Sequence, residues 1–352
     1  VDNWGLLFGI PLLCYIILAV KEYLSLHQGQ ASYDIDQDPI INFQTEAQFS
    51  LTKVQVEDLV FSVIVATPTE EPVDTIVFLH GFPDNIHSFS QQMRHFVSRG
   101  YKVFSPELPG YDPSTLSVTN DYRLGTVATQ FLDILESLNL GKVHAIGHDW
   151  GAFVVSLASR LKSHQFRSIG LLAVPNFEQF FKLAFTKVPS QLVKSWYMLA
   201  FQIPYIPEII FEGISGDMAM LIDLLKKAYI EYNPERLDSM ISNLQRPGVL
   251  SASLGYYRSL FNFMDTIGLM FGFASERIEQ YHRALKEPIA VPTLAIAGTK
   301  DVTVEKELFQ YSLNDDNYLA GFQLEYVDCG HFVQHEESLK VSLLIEDFIS
   351  TH

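Results

Sequence analysis

One short stretch constrains this chain more than any other: Gly147-His148-Asp149-Trp150-Gly151. An apolar, strand-like run, Lys142 to Ile146, leads into it, and a helix-like run, Ala152 to Ser159, leads out. Strand, small-x-Asp-x-small and helix is the layout of a nucleophile elbow, a turn so tight that only small residues fit on either side of its centre. The centre of most such turns is Ser. Here it is Asp149. A carboxylate is ionised at pH 7 and attacks without first losing a proton. It forms an ester with a carbon electrophile, so the expected target is an alkyl carbon, as in an epoxide or an alkyl halide, rather than an acyl group.

The 352 residues suffice for one large α/β domain carrying an insertion, or for two modest domains. With 48% hydrophobic and 18% charged residues, extended disorder is not expected. The net charge of −17, with no Lys/Arg cluster, argues against nucleic acid and anionic lipid as partners. Two cysteines, Cys14 in an apolar run and Cys329 beside Gly330-His331, suggest no disulfide framework, zinc site or redox site.

Trp4 to Val20 is a run of about 17 uncharged residues, the short end of a bilayer span. The expectation for residues 1–27 is a retained single-pass membrane anchor, for instance in the endoplasmic reticulum. A signal peptide cleaved near Gly29-Gln30-Ala31, followed by secretion, is the alternative, and an interfacial or self-associating helix is a third. Residues 28–45 read as a polar linker. Phe49 to Val56 and Leu59 to Thr67 suit a hairpin, and Val73 to Leu79 a buried strand. Helices are expected at Ser88–Arg99 and Asp121–Leu138, with strands at Tyr101–Ser105 and Phe166–Val174.

From Pro175 to Pro288 the periodicity is helical, and the segment is dense in Phe and Tyr. Afterwards strand and helix alternate again: a strand at Thr293–Ala297, a helix at Val304–Leu313, a strand at Phe322–Val327 and a last helix at Glu336–Ile349. This pattern predicts an α/β fold with a mostly parallel sheet and helices on both faces. The expected organisation is a core over 46–174 and 289–352, interrupted by a helical cap over 175–288.

Two further groups fall at predicted strand tips, where side chains point into a shared crevice. Asp301 follows Thr293–Ala297, and His331 follows Phe322–Val327. His331 suits a general base that activates water, and Asp301 suits the acid that holds its imidazole. Glu178, next to Asn176 after Val174, is the other acid considered. His87, His95, His148 and His335 compete with His331; His87 and His95 are expected at the surface, and His335 at the start of the last helix. Hydrolysis of an aspartyl ester places an oxyanion on the carboxyl of Asp149, which needs two backbone N–H groups. Trp150 and Phe82, in the loop His80-Gly81-Phe82-Pro83-Asp84, are the expected donors; Pro83 has none.

His-Gly-Phe-Pro at 80–83, Gly-His-Asp-Trp-Gly at 147–151, the late Asp301 and Gly-His-Phe at 330–332 together resemble the α/β-hydrolase-fold epoxide hydrolases over roughly residues 45–350. Haloalkane and haloacetate dehalogenases share most of these signatures, including a Trp beside the nucleophile. The resemblance implies two cap tyrosines that hydrogen-bond the epoxide oxygen. Tyr197, four residues before Phe-Gln-x-Pro, matches the first, and Tyr257, before Arg258, the second. Tyr256 is the main rival for the second place, with Tyr205, Tyr229 and Tyr232 behind it.

The sequence thus predicts a cofactor-free and metal-free hydrolase that turns a small lipophilic epoxide, of the fatty-acid-epoxide kind, into a vicinal diol. Its catalytic residues would be Asp149, His331, Asp301, Tyr197 and Tyr257, with the backbone of Phe82 and Trp150 as oxyanion hole. The alternatives are a dehalogenase with the same triad and a non-catalytic, membrane-tethered binder of a lipophilic ligand. A membrane is expected as partner through the N-terminal helix, and self-association is left open. The very apolar Phe263–Phe273 and Ile209-Ile210-Phe211 are expected either to pack within the cap or to dock it on a membrane.

Overall fold

The computed structural model describes residues 34, 37–117, 120–213, 216–260, 265, 269, 270, 272, 274–313 and 317–352. The expected anchor, residues 1–27, lies outside them, as do much of the linker and most of Phe263–Phe273. No helix among the described residues is long and apolar enough to cross a membrane.

Eight strands form one sheet in the order β1-β2-β4-β3-β5-β6-β7-β8. They are β1 (Phe49–Val56), β2 (Leu59–Ala66), β3 (Thr75–Leu79), β4 (Lys102–Pro106), β5 (Val143–His148), β6 (Phe166–Leu172), β7 (Thr293–Gly298) and β8 (Phe322–Val327). β1 and β2 are the predicted hairpin. Val56 pairs with Leu59, and Glu57 takes a positive φ of 51°, as a two-residue hairpin loop requires. β2 meets β4 antiparallel, and all later pairings are parallel.

The inner strands are buried on both faces: every residue of β5 and of β7 is buried. Their side chains alternate between two cores, as a period of two demands. Val77, Leu79 and Ala145 face one core, which also contains the buried sides of helices Leu124–Ser137 and Trp150–Leu161 and the cap. Ile76, Phe78 and Ile146 face the other, with helices Ser90–Ser98 and Ser338–Ile349.

Two of the predicted helices depart from expectation for local reasons. The backbone N–H of Val304 is taken by the Asp301 carboxylate, so the helix there is confined to Glu307–Ser312. The last helix is split into Val333–Glu336 and Ser338–Ile349, because Glu337 leaves the helical conformation at φ −126° and ψ 48°.

Between β6 and β7 the elements formed by the described residues are helices. The first and last of these helices, Phe177–Thr186 and Glu276–Lys286, pack against Trp150–Leu161 on the core. Those between them, from Ser190–Lys194 to Val249–Ser259, stand over the C-terminal tips of the parallel strands, where their residues close the cavity described below. The sheet therefore presents five loops, after β3, β4, β5, β7 and β8, to the underside of the cap.

Candidate active site

Asp149 sits at the sharpest of these turns. β5 ends at His148 and the next helix starts at Trp150, leaving Asp149 between them at φ 51° and ψ −119°. A non-glycine residue there stores about 1–3 kcal/mol of strain. The neighbours show why the turn tolerates only glycine on either side. A Cβ on Gly147 would come 2.3 Å from the carbonyl carbon of Gly151, and one on Gly151 would come 2.1 Å from the carbonyl oxygen of Leu79. This packing pushes Asp149 out of the sheet toward the cap.

The two oxygens of its carboxylate differ. Oδ1 accepts a hydrogen bond from the backbone N–H of Phe82 at 2.9 Å. Oδ2 lies 3.7 Å from Nε2 of His331, an ion-pair contact rather than a hydrogen bond. Trp150 is the first residue of its helix, so its N–H has no acceptor within the helix. Of the two expected oxyanion donors, Phe82 N–H is on the carboxylate, and Trp150 N–H belongs to the residue that follows Asp149. Burial would raise the Asp149 pKa, but His331 outweighs it and holds the group below the ordinary carboxylate value.

His331 Nδ1 donates to Oδ2 of Asp301 at 2.7 Å, which leaves Nε2 facing Asp149. Burial disfavours the imidazolium, yet the charges and hydrogen bonds of Asp301 and Asp149 raise His331 to about 10. The other oxygen of Asp301 accepts from Thr303 N (2.7 Å), Thr303 Oγ1 (2.7 Å) and Val304 N (3.0 Å). Burial of Asp301 is thus outweighed by His331 and Thr303, and its carboxyl also stays below the usual range. Asp301 is the acid that the structure joins to His331; Glu178 instead sits in the first turn of helix Phe177–Thr186, after the Asn176 cap.

The other histidines are structural. His80 is fully buried and held neutral, its pKa lowered to about 4 chiefly by burial. Its Nε2 accepts from Leu108 N–H at 3.0 Å, so the proton lies on Nδ1, which donates to the Gly81 carbonyl at 3.1 Å. That fixes the loop carrying Phe82, whose peptide to Pro83 is cis. His148 Nε2 donates to the His331 carbonyl at 3.1 Å. Two expectations fail: His87 is buried, with Phe43 beside its ring and Arg236 on its carbonyl, and His95 is half-buried, paired at 2.7 Å with Glu346 of the helix Ser338–Ile349. His335 lies in the short helix Val333–Glu336, contacting Asp84 (3.1 Å) and the hydroxyl of Tyr229 (2.8 Å).

The cap supplies the opposite wall. Tyr197 and Tyr257 face each other with ring centroids 5.9 Å apart, and Tyr257 packs edge-on against Phe82 and Trp150. Burial first, then Asp149, raises the pKa of both, so both hydroxyls are protonated donors. The Trp150 indole lies edge-on to the Tyr257 ring, with centroids 5.2 Å apart. Among the described residues no hydrogen bond engages the Tyr197 hydroxyl. Tyr256, by contrast, points away: its hydroxyl donates to the Pro109 carbonyl at 2.7 Å and its ring stacks on Tyr122. Of the weaker rivals, Tyr229 is bound to His335 and Tyr232 is exposed.

Asp149, His331, Tyr197 and Tyr257 line a single cavity of about 660 Å³, whose other walls are mostly aliphatic and aromatic. Phe82, Phe201 and Phe211 are among them. Among the described residues no cluster of His, Cys, Asp and Glu is arranged to hold a metal ion. Sequence reasoning missed Thr303, whose hydroxyl also lies 2.9 Å from His331 Nδ1. Its place two residues after Asp301, where a hydroxyl folds back on a carboxylate, was the available signal. It also missed Gln191 and Lys194. From the cap, Gln191 brackets Thr303 O and Glu305 N, and Lys194 reaches the Asp301 carbonyl at 3.0 Å. Only the folded chain brings these together.

Residues 74–207 match the family model described as alpha/beta hydrolase fold. The chain is 26% identical to epoxide hydrolase 4 of Homo sapiens over 361 residues, covering 98% of this chain and 92% of that protein. It is 25% identical to epoxide hydrolase 3 of Xenopus tropicalis over 78% of this chain and 71% of that one. Among solved structures, an epoxide hydrolase of Bacillus megaterium superposes with a TM-score of 0.68 at 20% identity, over 85% of this chain and all of the other. That likeness concerns the fold.

Proposed function

The chain belongs to the α/β-hydrolase epoxide hydrolase family, and on that premise we propose that it hydrolyses a lipophilic epoxide to a vicinal diol through an ester of Asp149. One observation carries this reading. A single apolar cavity holds a hydrogen-bonded carboxylate beside a His–Asp pair on one wall and two protonated tyrosines on the other.

In the first step Oδ2 of Asp149 attacks an epoxide carbon while Oδ1 stays on Phe82 N–H. The C–O bond of the ring breaks, and Tyr197 and Tyr257 bind the departing oxygen, one of them giving it a proton. Ester formation removes the negative charge of Asp149, one cause of the high His331 pKa. The imidazolium then gives up its proton, which restores the tyrosine and leaves His331 neutral. In the second step neutral His331 takes a proton from water as the water adds to the ester carbonyl carbon. Phe82 and Trp150 N–H groups hold the oxyanion. Cleavage of the carbonyl–oxygen bond releases the diol, the Asp149 carboxylate and a protonated His331, the starting state.

A dehalogenase would offer the Trp150 indole to a halide. The pair of tyrosines opposite Asp149, Tyr197 and Tyr257, favours epoxide chemistry instead. Incubation with a lipophilic epoxide and, separately, with haloalkanes and haloacetates tests the reading. Diol formation without halide release is expected; halide release without diol would replace it with dehalogenation, and neither would leave a ligand-binding protein.

A further inference from the structure

The cavity opens between cap helices whose outer surfaces are themselves apolar. Trp196, Ile203, Ile206, Ile210, Met220 and Leu224 all line the cavity, yet they are 38–60% exposed. Side chains that belong both to a cavity wall and to the surface mark its mouth. Leu199, three residues on from Trp196 in the same helix, and Val193, in the helix before, extend this surface at 65% and 74% exposure. Burial at this density is normal inside a protein; exposed around one opening, it marks a surface that is covered in use.

We propose that the rim of the cavity docks on the surface of a zwitterionic lipid bilayer, and that substrate enters the cavity from the lipid. The identity of what enters rests on the function proposed above; the docking does not. Several features select lipid over protein. A second copy of the chain, or any protein seated on this rim, would stopper the mouth that it covers. A bilayer covers the same apolar groups while remaining a solvent for lipophilic molecules, so the mouth stays open to them. Lys227 lines the same cavity, and Lys226 adjoins Lys227. Their stems can lie along apolar surface while the ammonium groups stay at headgroup level. The net charge of −17 opposes a strongly anionic surface, which points to zwitterionic headgroups. The uncharged run Trp4 to Val20, outside the described residues, adds a second apolar segment to the same chain, and stable attachment generally takes two weak signals.

The test uses the full chain with phosphatidylcholine vesicles. Trp196 reports on the rim, its signal taken as the difference between the full chain and the full-chain Trp196→Phe variant. On adding vesicles, that component should become quenched by brominated phosphatidylcholine and shielded from aqueous iodide. A double variant, Val193→Glu with Leu199→Glu, changes two exposed positions outside the cavity lining. It should turn over a water-soluble epoxide like the parent chain, while turnover of an epoxide dissolved in vesicles falls about tenfold or more. A Trp196 component that stays open to iodide and indifferent to brominated lipid overturns the proposal. So does concentration-dependent self-association without lipid that the double variant abolishes, which would assign the rim to a second copy. Absence of turnover on every epoxide would instead contradict the function proposed above, and the quenching would still decide the docking.

Discussion

Asp149, Asp301 and His331 stand on loops at strand tips, and hydrogen bonds fix them from several sides: Phe82 N–H on Asp149, three donors on one oxygen of Asp301, and Asp301 on His331. Tyr197 and Tyr257 stand on two cap helices, and ring contacts with one another, Phe82, Phe201 and Trp150 set their places. The contrast matches the chemistry proposed for each half. Buried charges have to be paired and hydrogen-bonded or they lose their protonation state. A hydroxyl that must capture an oxygen absent from the free enzyme needs a fixed ring and an uncommitted O–H, and edge-on aromatic packing supplies the first without consuming the second.

The sharpest way to break this comparison is to separate the two steps. His331→Gln removes the base and leaves the nucleophile and the tyrosines. Hydrolysis should slow about 10³-fold while epoxide opening continues, so a covalent adduct on Asp149 accumulates, visible as a mass increase of the intact protein. Equal slowing of both steps would dissolve the division of labour. Next in size, Tyr197→Phe and Tyr257→Phe should each lower the opening rate about 10²-fold in stopped-flow measurement. Their double variant should lose less than the product of the two, because both donors serve one oxygen. Hydrolysis of a preformed ester should be nearly unchanged.

Electrostatics gives a further expectation with a definite sign. His331 is raised to about 10, above its ordinary value near 6.5. Its protonation therefore contributes stability that is complete below about pH 6.5 and is lost as pH rises toward 10. Asp149→Ala removes one of the raising charges, so the His331 pKa should fall, and the loss should be smaller and end at a lower pH. The imidazole chemical shift followed across that range reads this directly; an unmoved midpoint would mean that Asp149 and His331 are not coupled. Smallest in its effect on catalysis is Tyr256→Phe. It strands the buried Pro109 carbonyl and should cost about 1–3 kcal/mol of stability by denaturant melting, with epoxide opening little changed. A loss of activity like that of Tyr257→Phe would make Tyr256 the working donor.

The same contrast explains what the sequence made legible. The elbow, the strand tips and the order Asp149, Asp301, His331 are local patterns, because a tight turn limits which residues fit and a buried parallel strand writes itself as an apolar run. The pair Tyr256-Tyr257 was not separable by spacing. Successive helical residues differ in direction by about 100°, and only the folded cap shows that one turns to Pro109 and the other to Asp149. Gln191 and Lys194 were silent for another reason: their partners lie in a loop that meets the cap only in three dimensions. The buried His87 and the half-buried His95 misled because residues distant in the chain meet them, Phe43 and Arg236 at His87 and Glu346 at His95.

The central claim is that Asp149 is both nucleophile and, in the second step, the group that water attacks. A single turnover in heavy-oxygen water, with enzyme in excess over epoxide, decides it by mass spectrometry of the peptide containing Asp149. The two-step account predicts one heavy oxygen in that carboxylate and an unlabelled diol. Label in the diol, with Asp149 unlabelled, would mean that water opens the epoxide directly, and it would contradict the account.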